Sequence, residues 1–294
     1  MSKAKVYFTK EITPESLVNI YNALGVELNG KVAVKISTGE PGGHNFLQPA
    51  LIEPLVSKLR GVIVESCTAY KGRRLDPKEH WKTIEEHGFK AIAPCDILDE
   101  EADMEIPVVG GINLTKNIVG KNIENYDSML MLSHFKGHIM GGFGGALKNM
   151  SIGIASTKGK TYIHTAGVTT DYRVMFDNLP KQDVFLECMA DACKSVVDFM
   201  GSENIVYINV ANRLSVDCDC SDHPKEPEMG DLGIFASIDP VALDQACYDA
   251  VVNSPDEGKA SLIERMDSRH GIHIVESGAQ IGIGSREYEL INID

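Results

Sequence analysis

Helical and strand patterns alternate through the first ninety residues, and this alternation restricts the fold more than any other feature of the chain. Thr13-Pro14-Glu15 supplies an N-cap, a proline in the first turn and an acidic residue, which together predict a helix start. Short runs rich in Val and Ile indicate buried strands. The predicted elements are a helix over 13–24, a strand over 31–37, a helix over 46–59 kinked at Pro54, a strand over 61–66 and a helix over 76–88. This order predicts a parallel sheet with helical crossovers.

The rest of the chain continues this alternation. The clearest later elements are a helix over 183–200, strands over 205–210 and 232–237, a helix over 239–252 and an edge strand over 287–293. Residues 89–125 are predicted to contain short strands near 91–92 and 106–109. We therefore expect an α/β fold with a mainly parallel sheet and a second, smaller α/β portion on the C-terminal side. The chain 1–294 is predicted to be one domain, with a subdivision into 1–175 and 176–294 as the alternative.

A glycine-rich stretch over residues 133–149 interrupts this pattern. Five of the nine residues from Gly137 to Gly145 are glycine, and each glycine in regular structure costs roughly 0.5–1 kcal/mol relative to alanine. A ligand or another backbone approaching closely would explain that loss. An apolar strand over 126–132 precedes the stretch and a helix start follows it, which is where open α/β sheets bind ligands.

Histidines and lysines are interleaved with these glycines. Imidazole is a good ligand for nickel, zinc, copper or iron. A lysine in such a loop binds phosphate or carboxylate, and it becomes nucleophilic when burial lowers its pKa. The alternative is that the glycines are packing turns and the lysines reach solvent. The candidates are His134 and His138 for catalysis, and Lys136, Lys148, Gly144, Gly145 and the strand-end His44 for cofactor binding.

Composition limits the function classes. With a net charge of −14, the surface repels phosphate backbones and anionic lipid, so we expect neither nucleic-acid nor membrane partners. The first residues lack the apolar run of a signal peptide, so a cytoplasmic location is expected. Seven cysteines, an odd number, argue against a disulfide framework in a chain of this size.

Cys218-Asp219-Cys220 forms a C-x-C pair, with Asp222 and His223 close by. Two thiolates and an imidazole would bind a soft metal ion. A loop with two free thiols is the alternative interpretation. No C-x-x-C pair occurs in the sequence, so the usual spacings of ferredoxins and zinc ribbons are absent.

The chain resembles the family catalogued as domain of unknown function 362, whose members are often described as uncharacterised iron–sulfur centre proteins. The resemblance rests on six segments spread over nearly the whole chain: 130–138, 144–150, 159–164, 218–220, 238–246 and 281–290. Many relatives carry a ferredoxin-like insert after the segment corresponding to Lys148-Asn149. This chain lacks that insert, so no ferredoxin-type iron–sulfur cluster is expected.

His138, Gly142-Phe143, Gly145 and Lys148 are also similar, more distantly, to the H-x-x-x-G-F-x-G-G-x-K run of nickel-pincer lactate racemases. His164 follows Lys148 by sixteen residues, as the nickel-binding histidine does in that family. The resemblance implies a lactate-racemase-like fold, with His138 as acid/base, Lys148 as cofactor anchor and His164 as metal ligand. The segments 37–40 and 67–71 lack the arginine and second histidine of the racemases, so racemisation between two facing histidines is not expected.

Three functions remain open from the sequence. The first is a metal- or cofactor-binding protein, as an enzyme acting on a small anionic substrate, with nickel, zinc or iron as the metal. The second is a non-catalytic redox or metal-delivery partner that uses Cys218 and Cys220. The third is a binding module for a small anion that uses lysines and an arginine without metal, namely Lys71, Arg73, Lys136 and Lys148. The expected ligand is a small anionic molecule or a metal-organic cofactor, and self-association is left open.

Overall fold

A computed structural model describes residues 3–294 and shows one eight-stranded sheet. The order across the sheet is β12-β1-β11-β10-β7-β2-β3-β4. Two further pairs, β5–β6 and β8–β9, form separate hairpins. The strands are β1 Ala4–Thr9, β2 Val32–Lys35, β3 Val62–Glu65, β4 Cys95–Ile97, β5 Asp103–Pro107, β6 Lys116–Gly120, β7 Ser128–His134, β8 Lys136–His138, β9 Gly142–Gly144, β10 Ile205–Ala211, β11 Gly233–Ser237 and β12 Tyr288–Asn292.

Most neighbouring strands of the large sheet are parallel. The pairs β2–β3, β2–β7, β3–β4, β7–β10 and β1–β12 run parallel, and only β11 is antiparallel to its two neighbours. The predicted α/β class with a mainly parallel sheet is therefore confirmed. Parallel strands need crossover helices, which cover both faces and make the strands apolar throughout.

Helices pack on both faces of the sheet. They are α1 Pro14–Ala23, α2 Pro49–Leu59, α3 Pro77–Glu86, α4 Phe89–Ile92, α5 Ala146–Ser151, α6 Thr157–His164, α7 Gln182–Met200, α8 Pro240–Asn253, α9 Lys259–Ser268 and α10 His273–Gln280. Alternate residues of β7 point to opposite faces. Leu130 and Leu132 belong to the core under α1 and α2, whereas Met129 and Met131 belong to the core under α5, α7 and α8.

Several local predictions differ from the structure. Residues 89–92 form the short helix α4 rather than a strand, and α2 runs through Pro54 from Pro49 to Leu59. The glycine-rich stretch folds into the hairpin β8–β9, which we call the glycine hairpin (residues 136–144), instead of an open loop. Glycine lowers strand propensity, so the sequence pattern did not indicate these two strands.

Strands from both sides of residue 175 share the large sheet. β10 pairs with β7 in parallel, with Ile205 opposite Met129. The division into 1–175 and 176–294 stays a prediction. Across residues 3–294, none of the helices combines the length and apolar composition that a bilayer crossing requires.

Candidate functional site

A cavity of about 540 Å³ opens at the carboxyl ends of the central parallel strands. The last residues of β2, β3 and β7, which are Lys35, Glu65 and His134, all line it. Open parallel sheets bind ligands at this edge because adjacent strand ends and the loops after them converge there. The glycine hairpin follows β7 and adds Lys136 and His138 to the same wall.

Two glycines allow the chain to approach itself closely. A Cβ on Gly137 would lie 2.3 Å from the carbonyl oxygen of Val216, and one on Gly145 would lie 2.4 Å from the Asp244 carboxylate. That carboxylate accepts hydrogen bonds from the first backbone N–H groups of α5. Gly144 differs, since its added Cβ would lie 3.8–3.9 Å from Lys148 and Lys136. The glycines thus serve chain packing, and Gly144 and Gly145 also border the cavity.

Five cationic side chains form the inner wall of the cavity, which we call the basic floor: Lys35, Arg74, Lys136, Lys148 and Lys160. The Lys35 ammonium donates to the carbonyl of Ile36 at 2.6 Å, and Lys160 donates to the carbonyl of Ala155 at 2.5 Å. Burial and the neighbouring cations lower the pKa of Lys35 to about 7. The cavity thus concentrates positive charge in a protein whose net charge is −14.

Arg74 is neutralised inside the protein. Its guanidinium donates to Glu40 and, at 3.3 Å, to Glu65. Glu65 also accepts from His80 at 2.9 Å. Burial alone would raise the pKa of Glu65, but Arg74 and His80 outweigh burial and hold that pKa well below its usual range. Arg74 and Glu65 are therefore a fixed part of the cavity wall. Since Arg74 pairs with two carboxylates, Glu40 and Glu65, this group leaves one negative charge in excess beside the lysines.

His134 is bound at both ring nitrogens. Nδ1 donates to Asp219 at 2.8 Å and Nε2 donates to the carbonyl of Asn212 at 2.6 Å. Asp219 also accepts from Lys136 at 2.8 Å, and Lys136 and His134 together overcome its burial and hold the pKa of the carboxylate below its usual range. Both ring nitrogens of His134 thus have protein partners, and its contact with Asp219 places it beside Lys136. A catalytic role for His134 stays a prediction.

His138 and His164 both keep Nε2 free of protein partners, but with opposite hydrogen-bonding character. Backbone N–H groups can only donate, so Nδ1 of His138 accepts from Gly141 at 2.8 Å and from Met140 at 3.3 Å. Its Nε2 must then carry the proton in the neutral ring. The carbonyl of Lys160 can only accept, so Nδ1 of His164 donates at 2.6 Å and its Nε2 keeps a lone pair. Burial lowers the pKa of His164 to about 4 and that of His138 well below its usual range, so both rings are neutral at pH 7.

Lys148 is the exception among the lysines of the basic floor. In the described part of the chain, residues 3–294, no oxygen accepts a hydrogen bond from its ammonium group. Burial, followed by the charge of Lys136, lowers the pKa of Lys148 to about 7. This lowered pKa favours the uncharged, nucleophilic form of the amine more than in an ordinary lysine.

The sequence also matches a family model. The model described as Domain of unknown function (DUF362) covers residues 32–249, which are 218 of the 294 residues. The chain belongs to the DUF362 family. This membership confirms the family resemblance found from the motifs. No functionally curated protein matches the chain in sequence.

Two solved structures are similar to this DUF362 protein. One is the lactate racemase apoprotein from Thermoanaerobacterium thermosaccharolyticum, with a TM-score of 0.46 and 12% identity, covering 84% of this chain and 57% of that one. The other is a protein from Thermotoga maritima, with a TM-score of 0.49 and 16% identity, covering 82% of this chain and 59% of that one. This chain thus spans less than two thirds of the length of either protein.

Cys218 and Cys220 of this DUF362 protein also line the cavity, but as a disulfide. The structure corrects the expectation of reduced cysteines here, and the bonded sulfurs are not thiolates. His138 and the two cysteines have potential ligand atoms within 4.8 Å of one another, so a metal ion would fit after reduction. Asp222 and His223 are exposed and do not line the cavity.

Other predicted residues lie elsewhere. The His44 side chain is 55% exposed, pairs with Glu226 at 3.0 Å and does not reach the cavity, which corrects its expected role. Lys71 is exposed and Arg73 pairs with Glu79 and Glu86 at the surface, so the arginine of the site is the next one, Arg74.

The sequence analysis did not assign Lys35, Glu65 or Lys160 to the site. A charged residue ending an apolar strand, as in Val32-Ala33-Val34-Lys35 and Val62-Ile63-Val64-Glu65, is the signal that would have found two of them.

Proposed function

We propose that this protein binds a small anionic molecule or anionic cofactor in the cavity beside the glycine hairpin, with Lys148 as its anchor. The observation that carries the proposal is the partly buried Lys148 ammonium, which lines the cavity among other cations and has no acceptor within residues 3–294. A partly buried charge is unfavourable unless it is paired. A carboxylate or phosphate oxygen would supply the missing acceptor and the missing negative charge.

The two cavity histidines would contact this ligand in different ways. The Nε2–H of His138 would donate to a ligand oxygen, and a neutral imidazole can polarise a carbonyl in this manner. The Nε2 lone pair of His164 would accept a proton or bind a metal ion. If the protein is an enzyme, His138 is then the hydrogen-bond donor to the developing negative charge, and His164 is the proton acceptor or the metal ligand.

A metal-bearing anionic cofactor fits the same residues. His164 offers a free ring nitrogen and Lys148 an unpaired amine, and both line one cavity. A bound metal ion would supply a Lewis acid.

Anion binding is tested by isothermal titration and thermal unfolding with phosphate, oxalate and acetate. A ligand at a hundred times its Kd should stabilise the protein by about 2.7 kcal/mol. Lys148→Arg should keep binding and Lys148→Met should lose it, because only the first retains a charged donor. Lys82→Met is the control, since Lys82 is exposed and pairs with Glu79 on α3. Equal binding by the Met variant and the unaltered protein would contradict the proposal.

A second candidate function, metal delivery or redox exchange, is favoured by the grouping of His138, Cys218 and Cys220. Thiolates are strong ligands for zinc and cobalt. Protein reduced with a phosphine should bind one Co²⁺ with a thiolate-to-metal absorption band, and oxidised protein should bind none. Cys218→Ser should remove the band and Cys95→Ser should not, because Cys95 lies outside the cavity. Identical cobalt binding before and after reduction would exclude the cysteines as ligands.

A further inference from the structure

We infer that the ligand of this cavity is amphiphilic: an organic anion whose charged group meets the basic floor and whose apolar or aromatic part lies at the mouth. The inference rests on the proposed anion binding and names the class of anion. It comes from the way side-chain polarity changes between the inner end and the outer end of the cavity.

The cations occupy the inner end. Lys35, Lys136 and Lys160 are 2%, 5% and 7% exposed, and all three line the cavity. The outer end is mainly apolar. Ile139 and Phe176, which line the same cavity, are 56% and 61% exposed, and the exposed Arg269 lines it as well. A ligand that fills the cavity therefore has its inner end against cations and its outer end mainly against apolar surface.

Two chain segments form the mouth, which we call the apolar rim: Ile139, Met140, Phe176 and Leu179. Ile139 and Met140 belong to the turn of the glycine hairpin. The other two follow α6, in and just after a 3-10 helix over Tyr172–Asn178, whose Met175 also lines the cavity but is buried.

A side-chain amide fixes the hairpin side of the apolar rim. The side-chain N–H₂ of Gln182 donates to the carbonyl of Met140 and to the carbonyl of Arg269, both at 2.8 Å. This side chain therefore ties the hairpin turn to α7 and to the loop after α9. Ile139 and Met140 thus stand at defined positions beside the opening.

The position of these exposed residues is informative. Single exposed apolar side chains are common on protein surfaces, but Ile139, Phe176 and Leu179 surround one opening. The cavity volume of about 540 Å³ lies in the range that holds drug-sized organic ligands. A bare phosphate or acetate would leave the rim uncovered. Charge at the inner end together with apolar surface at the mouth matches an alkyl or aryl carboxylate or phosphate.

The experiment is a titration series from acetate to octanoate, with matched alkyl phosphates to distinguish the two head groups. Each methylene buried at the rim should tighten the Kd about fourfold, so four buried methylenes give roughly 200-fold. In Phe176→Ser and Ile139→Ser the gain per methylene should shrink, because less apolar surface is available. Phe199→Ser is the control, since Phe199 is a partly exposed residue of α7 away from the cavity.

The outcomes separate this inference from the function on which it rests. Acetate and octanoate binding with equal Kd, both lost in Lys148→Met, would overturn the amphiphilic ligand and keep the anion site. No binding by any anion would overturn both. Concentration-dependent dimerisation that Phe176→Ser abolishes, seen by sedimentation, would show that a second copy covers the rim and would also overturn the inference.

Discussion

Replacing Lys148 by Met should stabilise the ligand-free protein while removing its anion binding. The folded state lowers the pKa of Lys148 from 10.5 to about 7, first through burial and then through Lys136. That difference corresponds to about 5 kcal/mol of unfavourable free energy in the charged form. Water in the open cavity screens the charge, so we expect roughly 2 kcal/mol at pH 7. For a chain of this size the melting temperature should rise by about 4 °C.

The direction of the pKa shift determines how the effect of Lys148→Met on stability changes with pH. Because the folded pKa lies below the unfolded one, the stability linked to Lys148 is fully present above pH 10.5 and is lost as pH falls through about 7. The methionine variant removes this loss. Its advantage should be large at pH 6–7 and should vanish near pH 10.5.

Urea unfolding of ligand-free protein at pH 6, 7, 8.5 and 10 measures this advantage. The Lys82→Met control should show no change at any of these pH values, because Lys82 is exposed. A Lys148→Met protein that is less stable than the unaltered one at pH 7, or equally more stable at pH 7 and pH 10, would refute the reasoning. The first result would mean that the amine already has a partner inside the folded chain, and the second that the gain comes from the apolar methionine side chain rather than from removal of the charge.

Three further changes test the buried charges around the cavity. Glu65→Gln leaves Arg74 with one carboxylate fewer and should cost about 3–5 kcal/mol in urea unfolding at pH 7. Asp219→Asn should be destabilising at pH 7. That difference should fade in acid, because the stability from this low-pKa carboxylate is present above pH 3.8 and is lost as pH falls through its folded pKa. Asp244→Ala removes the acceptor at the start of α5 and should lower stability by about 1–2 kcal/mol. Burial raises the pKa of Asp244 to about 6. The stabilisation linked to this shift is present below pH 3.8 and is lost as pH rises through about 6. The Asp244→Ala variant should therefore lose more stability, relative to the unaltered protein, at pH 5 than at pH 7.5.

Residues near each other along the chain were placed well by sequence reasoning. His138, Lys148 and His164 follow one buried strand within about thirty residues, and the structure brings all three to one cavity. This succeeds because a strand, its turn and the next helix occupy a small volume, so short spacing restricts position. Short spacing after a strand did not suffice for His44, because its loop places the side chain at the surface beside Glu226.

Contacts between distant segments could not be predicted. His134 meets Asp219 across 85 positions, and Arg74 meets Glu40 across 34. Nothing in the local pattern distinguishes Arg74 from its exposed neighbour Arg73. The Cys218–Cys220 bond likewise opposes the expectation drawn from the odd cysteine count.

The sequence by itself determined the α/β class, the parallel centre of the sheet and the approximate location of a ligand site, because hydrophobic periodicity and turn residues act over short stretches. The tertiary structure decided which cations face the cavity, which histidine nitrogen keeps a lone pair, and which lysine lacks a partner. Each of those properties depends on burial and on hydrogen-bond partners, and many of these partners are brought together only when segments far apart in the chain pack against one another.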